Sequence, residues 1–178
     1  MNKQVIIING SGGSGKDQLV KLISQQYKTT NISSVDKVKL AAEVLGWDGS
    51  KEETDRKFLS DLKLLSAEYC NHPFLYMYEK IRIFQNDDND LLFLHIREPK
   101  EIQQVKLECI RLGVICKTLL INRKEVGIIK SNMADGNVEN YNYDYIIHND
   151  GTLGELLDKG LEVIKEELRW KIYGVDSY

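Results

Sequence analysis

Gln4-Val5-Ile6-Ile7-Ile8-Asn9-Gly10-Ser11-Gly12-Gly13-Ser14-Gly15-Lys16-Asp17 joins two patterns with different physical meanings. The first half is a continuous apolar run stopped by glycine, as expected of a strand buried on both faces of a parallel sheet. The second half fits G-x-x-x-x-G-K, a loop whose glycines let backbone N–H groups converge on phosphate oxygens. A helical stripe of Leu19, Leu22, Ile23 and Tyr27 follows. The loop therefore opens onto a helix N-terminus, which favours anions. Lys16 would bring a point charge to the β- and γ-phosphates of a nucleoside triphosphate. The same segment, through Gly10, Gly12 and Gly15, also spells G-x-G-x-x-G, and Asp36 lies about 20 residues on, as the acidic residue of a dinucleotide site would. Lys16 favours the triphosphate, because a dinucleotide loop has no requirement for a cation there. Asp17 stands where a metal-binding hydroxyl is usual. Its carboxylate either ligates Mg2+ or faces away as an ordinary first-turn acid.

Outward from this loop, strands and helices alternate. Residues 30–35 lean toward a strand that stops at Asp36, and Val38, Ala41, Ala42 and Leu45 make a helical stripe closed by Gly46. Ser50 and Glu53 have the spacing of a capping box for a helix carrying Phe58, Leu62, Leu65 and Tyr69. A second helix over about 74–85 leads into an exposed polar loop at 86–90, and residues 91–96 are strongly apolar and strand-like. Pro99 suits the first turn of a helix bearing Ile102, Val105, Cys109 and Leu112, which Gly113 ends. Strands are expected at 114–121 and 143–148, and Thr152 with Glu155 caps a last helix carrying Leu153, Leu156, Leu157, Leu161, Ile164 and Leu168. The alternation implies an α/β fold, a three-layer parallel sheet with helices on both faces. One domain over 1–178 is expected, with a helical insertion about 36–86 and a lid-like loop about 122–142.

Composition narrows the classes of function. The 178 residues carry 24 Lys+Arg against 27 Asp+Glu, a formal charge of −3. This argues against a nucleic-acid polymer as partner, which needs a basic face. No apolar run approaches the ~18 residues of a membrane span, and the start lacks a secretory cleavage pattern. The 3 cysteines have no metal-like spacing and read as reduced thiols of a cytoplasmic protein.

In such sheets ligands bind beyond the carboxyl ends of the strands. Asp36 could orient an acceptor, hold a metal or cap the next helix. Arg97 could grip a phosphate bidentately, or pair with Glu101 one turn on. Lys39 and Arg56, in the helical insertion, could bind an acceptor phosphate. Arg123, with Lys124 and Lys130, could close over a transferred group. Glu98 has no assigned role. Phe74, Tyr76 and Tyr78 could stack on a base or belong to the core. His72 and His148 lack zinc spacing, and His148 reads as closing the last strand. The aromatic tail at 169–178 would suit a homodimer contact.

Gly15-Lys16-Asp17 together with His95-Ile96-Arg97-Glu98-Pro99-Lys100-Glu101 resembles the phage-type deoxynucleoside monophosphate kinases, whose third strand ends in Asp-Val-Arg-x-x-x-Glu. The animal phosphomevalonate kinases share the G-K-D loop. Weaker matches extend along most of the chain, at Asp36-x-x-Lys39, Arg56, Gly113-Val114-Ile115, Ile121-Asn122-Arg123 and residues 143–151. The resemblance implies a P-loop nucleoside monophosphate kinase-like fold passing the γ-phosphoryl of ATP, with Mg2+, to a small phosphorylated acceptor. On that pattern the loop from Gly10 to Asp17 binds ATP, and Lys16, Asp36, Arg97 and Arg123 serve transfer. Asp36, Lys39, Arg56 and Arg97 hold the acceptor, a nucleoside or deoxynucleoside monophosphate, while Asp17 and Asp36 serve the metal. The departure is His95, which replaces the family's aspartate and cannot supply its charge. The rival expectations are an ATP-binding protein with little or no catalysis, and a dinucleotide-binding enzyme.

Overall fold

The structure is a computed structural model that describes residues 3–123, 138 and 141–165. Strands β1 (Gln4–Asn9), β2 (Thr29–Ser33), β3 (Leu91–His95), β4 (Ile115–Asn122) and β5 (Tyr145–His148) form one sheet in the order β2-β3-β1-β4-β5. Every neighbouring pair is parallel, and Gln4 of β1 lies opposite Leu91 on one side and Ile115 on the other. The helices are α1 (Lys16–Ile23), α2 (Asp36–Val44), α3 (Glu53–Cys70), α4 (His72–Asn86), α5 (Pro99–Arg111) and α6 (Leu153–Lys165).

The continuous apolar runs have the anticipated cause. Val5 and Ile7 point into a core with Phe84, Leu92, Leu94, Ile102 and Val105, whereas Ile6 and Ile8 point into another with Leu19, Ile23, Phe93, Ile147 and Leu156. A central strand with helices on both faces has no solvent side, so period-two alternation is lost. Burying each such side chain contributes about 1.5–3 kcal/mol. The three-layer α/β expectation stands.

Several boundaries and faces differ from expectation. Helix α1 ends at Ile23, so Tyr27 lies beyond it, and Val20 rather than Leu22 is buried. Strand β2 ends at Ser33, and Asp36 is the first residue of α2 with Val35 as its N-cap. The Asp36 carboxylate instead reaches back to accept the Ser33 N–H at 2.8 Å. In α2 only Val38 and Ala42 of the expected stripe are buried. The capping box of α3 is two residues later than read, with the Glu52 N–H donating to Asp55 at 3.2 Å. The apolar stripe of α3 faces outward: Leu65 is 62% and Tyr69 88% exposed, and the buried side chain of that helix is Lys63. Strand β4 is shifted one residue and β5 starts at Tyr145, while the Thr152–Glu155 box of α6 forms as expected.

Two lysines tie the ends of the layers. The Lys3 ammonium donates to the carbonyls of Phe84, Asp87 and Asn89 and to the Asp87 carboxylate, so the polar loop at 86–90 is organised around one cation. Lys117, fully buried on β4, donates to the Val163 carbonyl at 2.6 Å and places its charge at the negative end of α6.

Candidate functional site

The loop between β1 and α1 is built on three glycines with positive φ, of which Gly15 (φ 97) is the N-cap of α1. A β-carbon on Gly15 would run into the Asn149 amide, which donates to the Ser14 carbonyl at 2.9 Å from the loop after β5. Behind the loop, Asn9 accepts the Gly10 N–H through Oδ1 at 2.8 Å and donates to the Tyr143 hydroxyl at 2.7 Å. That hydroxyl donates onward to the Val138 carbonyl at 2.8 Å. Burial pushes the Tyr143 phenol up to about 12, so it stays a neutral donor across ordinary pH. The Lys16 ammonium leans across the loop to the Ser11 carbonyl at 3.4 Å.

In front of the loop opens a cleft of about 700 Å³ at the carboxyl ends of β1, β2 and β3, where parallel sheets bind ligands. Gly12, Gly13, Lys16 and Asp17 form one end, and Asp36 and Lys39 come from α2. Arg97 and Glu98 come from the end of β3, and Lys51, Arg56, Ser60 and Lys63 from the segment entering α3 and from α3 itself. Of the residues singled out in the sequence, Lys16, Asp17, Asp36, Lys39, Arg56 and Arg97 thus share one cavity. Arg123 is not among the described residues that line it. Lys124 and Lys130, most of the lid-like segment and the aromatic tail lie outside the described residues. Phe74, Tyr76 and Tyr78 belong to α4, where Tyr76 is buried in the core, and none of the three lines the cleft.

Lys63 was missed. Its ammonium donates to Glu98 at 2.6 Å and Glu101 at 3.0 Å, tying α3 to the segment that follows Arg97. Glu101 is thereby engaged by Lys63, and Glu98 is both the N-cap of α5 and a wall of the cleft. Burial would raise both carboxyls, and one ammonium neutralises one of them. Lys63 and local hydrogen bonds hold Glu98 below its usual range, whereas burial beside the Glu98 charge pushes Glu101 up to about 7. The available signal was the spacing of Arg56, Ser60 and Lys63, a polar face at helical period aimed inward.

His95 closes β3 at the floor of the cleft. Its Nε2 is 2.7 Å from Asn31 Oδ1 and its Nδ1 3.7 Å from Asp17 Oδ1. Burial holds the imidazole below its ordinary value, against the pull of Asp17. No cluster of three or more His, Cys, Asp or Glu suited to a metal occurs among the described residues. Asp17 and Asp36, the two carboxylates expected to serve a metal, both line the cleft, and carboxylate oxygens are the kind of ligand Mg2+ prefers.

The class of fold follows from solved structures. The tunicamycin resistance protein of Deinococcus radiodurans matches with a TM-score of 0.58 at 8% identity, over 91% of this chain and 96% of that one. An APS kinase of Mycobacterium tuberculosis matches with a TM-score of 0.52 at 11% identity, over 93% and 99%. A sugar kinase from Janibacter sp. matches with a TM-score of 0.52 at 10% identity, over 92% and 95%. This chain has a P-loop kinase-like fold. No protein-family model matches the sequence, and no curated protein matches it.

Proposed function

We propose that this chain is an ATP-dependent kinase acting on a small phosphorylated acceptor. One observation carries the reading: the glycine loop with Lys16 and the cations Lys39, Lys51, Arg56 and Arg97 face a single cleft. A triphosphate and a phosphorylated acceptor repel each other strongly at reacting distance unless cations lie between and around them. In transfer, an acceptor oxygen forms a bond to the γ-phosphorus as the β,γ-bridge breaks and ADP leaves. Catalysis of this kind is placement and charge neutralisation. Loop amides at Gly12, Gly13 and Lys16 would cradle the phosphates, Arg97 would align the acceptor, Arg56 and Lys39 would hold its phosphate, and Asp36 would orient it. An APS kinase of similar fold was solved with AMPPNP and APS, a pairing of the same general kind.

The sequence resemblance favours a nucleoside or deoxynucleoside monophosphate as acceptor. A second reading, a phosphorylated aliphatic molecule, is favoured because no Phe, Tyr or Trp occurs among the described residues lining the cleft, and bases are commonly held by aromatic stacking. The test is ADP release from ATP with nucleoside monophosphates, sugar phosphates and phosphorylated hydroxy acids, each with Mg2+ and with Mn2+. Transfer should fall at least about 100-fold in Lys16→Ala. An active Lys16→Ala variant contradicts the site. Tight ATP binding without transfer to any acceptor favours a binding protein, and calorimetric binding of NAD in place of ATP favours the dinucleotide reading.

A further inference from the structure

The apolar side chains on the outward face of α3 follow one spacing. Phe58, Leu62, Leu65 and Tyr69 succeed each other at four, three and four residues, the period of a helix–helix seam. Phe58, Leu65 and Tyr69 are exposed and Leu62 is half-buried. Phe58, Leu62 and Leu65 stand two residues beyond Arg56, Ser60 and Lys63, about 200° around the helix. The seam is therefore on the reverse of the face that lines the cleft. Its spacing also reads the same from either end. A two-fold axis between Leu62 and Leu65 sets Phe58 of one copy against Tyr69 of the other, and Leu62 against Leu65, with the two helices antiparallel. Only a partner that is a second copy gives that symmetry a use.

We propose that this chain forms a two-fold homodimer in which α3 packs antiparallel against α3 of a second copy. Helix α2 packs beside α3 and exposes Leu40, Val44 and Leu45. At roughly 150–200 Å² for a whole large side chain, the exposed fractions of these three with Phe58, Leu65 and Tyr69 amount to about 600 Å² on each copy. A standard interface buries about 800 Å² per partner, with a polar rim around an apolar centre. The area is thus that of a dimer core, and it lies at the top of what a lone domain leaves exposed. The rim is mixed in sign. Lys57 pairs with Asp61 on its own helix, and Glu68 of the other copy comes within about 3 Å of its level along the seam. Pairing through this face leaves the cleft open and braces the helix that supplies Arg56, Ser60 and Lys63 to it.

The experiment uses the full chain. Sedimentation velocity at up to about 100 µM should show a species of twice the chain mass. Cys70, at the end of α3, is exposed whereas Cys109 and Cys116 are buried, so a thiol-directed nitroxide labels Cys70. With the axis between Leu62 and Leu65, the two labels stand about 20 Å apart along the helices and about 10 Å across them. Double electron–electron resonance should accordingly give a separation of about 20–30 Å. Leu65→Glu sets two carboxylates beside the axis and should raise the dimer dissociation constant at least about 100-fold. Its circular dichroism should be unchanged, because Leu65 is exposed in the single chain. A monomer overturns the inference. So does a dimer whose labels lie beyond about 40 Å, or one that Leu65→Glu leaves intact, since another surface, such as the segment at 166–178, then joins the copies. The wild-type label separation decides the matter even if the variant fails to fold.

Discussion

Replacing Glu101 by glutamine should stabilise the protein at alkaline pH and remove part of its pH dependence. Glu101 is 15% exposed, beside Glu98 and opposite the single ammonium of Lys63. One cation cannot satisfy two carboxylates, so the second holds its proton to about 7 instead of the ordinary 4.5. Between these values the folded protein binds a proton that the unfolded chain has already released. This contribution to stability is therefore fully present below about 4.5, is lost as pH rises through about 7, and is level beyond. At 1.36 kcal/mol per pH unit the span corresponds to about 3 kcal/mol. Glu98 shifts the opposite way, but it is present in both proteins, so the comparison between them reads Glu101. Glutamine keeps the carbonyl that accepts from Lys63 but carries no charge. Urea unfolding of both proteins at pH 4.5, 6, 7 and 8 should give nearly equal stabilities at the acid end and a Glu101→Gln advantage of about 3 kcal/mol at pH 8. Parallel pH curves for the two proteins would refute the reasoning.

Other perturbations probe the same framework. Lys63→Met leaves two partly buried carboxylates without their cation and should cost about 3 kcal/mol at pH 8, less at pH 5 where protons relieve the repulsion; a penalty that grows toward acid would contradict the network. Tyr143→Phe removes the hydroxyl between Asn9 and Val138 and should cost about 1–2 kcal/mol. Because Asn9 also braces Gly10, calorimetry should show nucleotide affinity weakened several-fold, and unchanged affinity would separate Asn9 from the loop. Gly15→Ala forces an L-residue to φ 97 against Asn149. It should cost at least about 1–2 kcal/mol in thermal unfolding and impair nucleotide binding, so a silent variant would mean that the loop is not held in this shape.

The sheet was legible because a parallel strand covered on both faces must be apolar throughout, and residues 4–9 and 91–95 have that pattern. The loop was legible because glycine at positive φ and a following helix are local requirements. The α3 helix was misjudged for a physical reason. The outward placement of Leu65 and Tyr69 and the burial of Lys63 invert the usual relation between hydropathy and exposure. A helix that lines a charged cleft turns its cations inward, and periodicity alone does not say which face meets the cleft. Asn31, Lys51 and Asn149 were likewise silent, since a single polar residue at a strand end or loop has no pattern of its own.

Local chemistry alone therefore determined the alternating elements, the buried strands and the anion-binding turn at Gly10–Lys16, each decided by neighbours a few residues apart. Long-range packing decided the rest. The sheet order brings His95 and Asn31 together from β3 and β2 and sets His95 beside Asp17 at the start of α1. The fold of α3 over the carboxyl ends carries Lys63 to Glu98 and Glu101. Those encounters depend on strand order and helix placement, which residues distant in the chain settle by burying their apolar faces together.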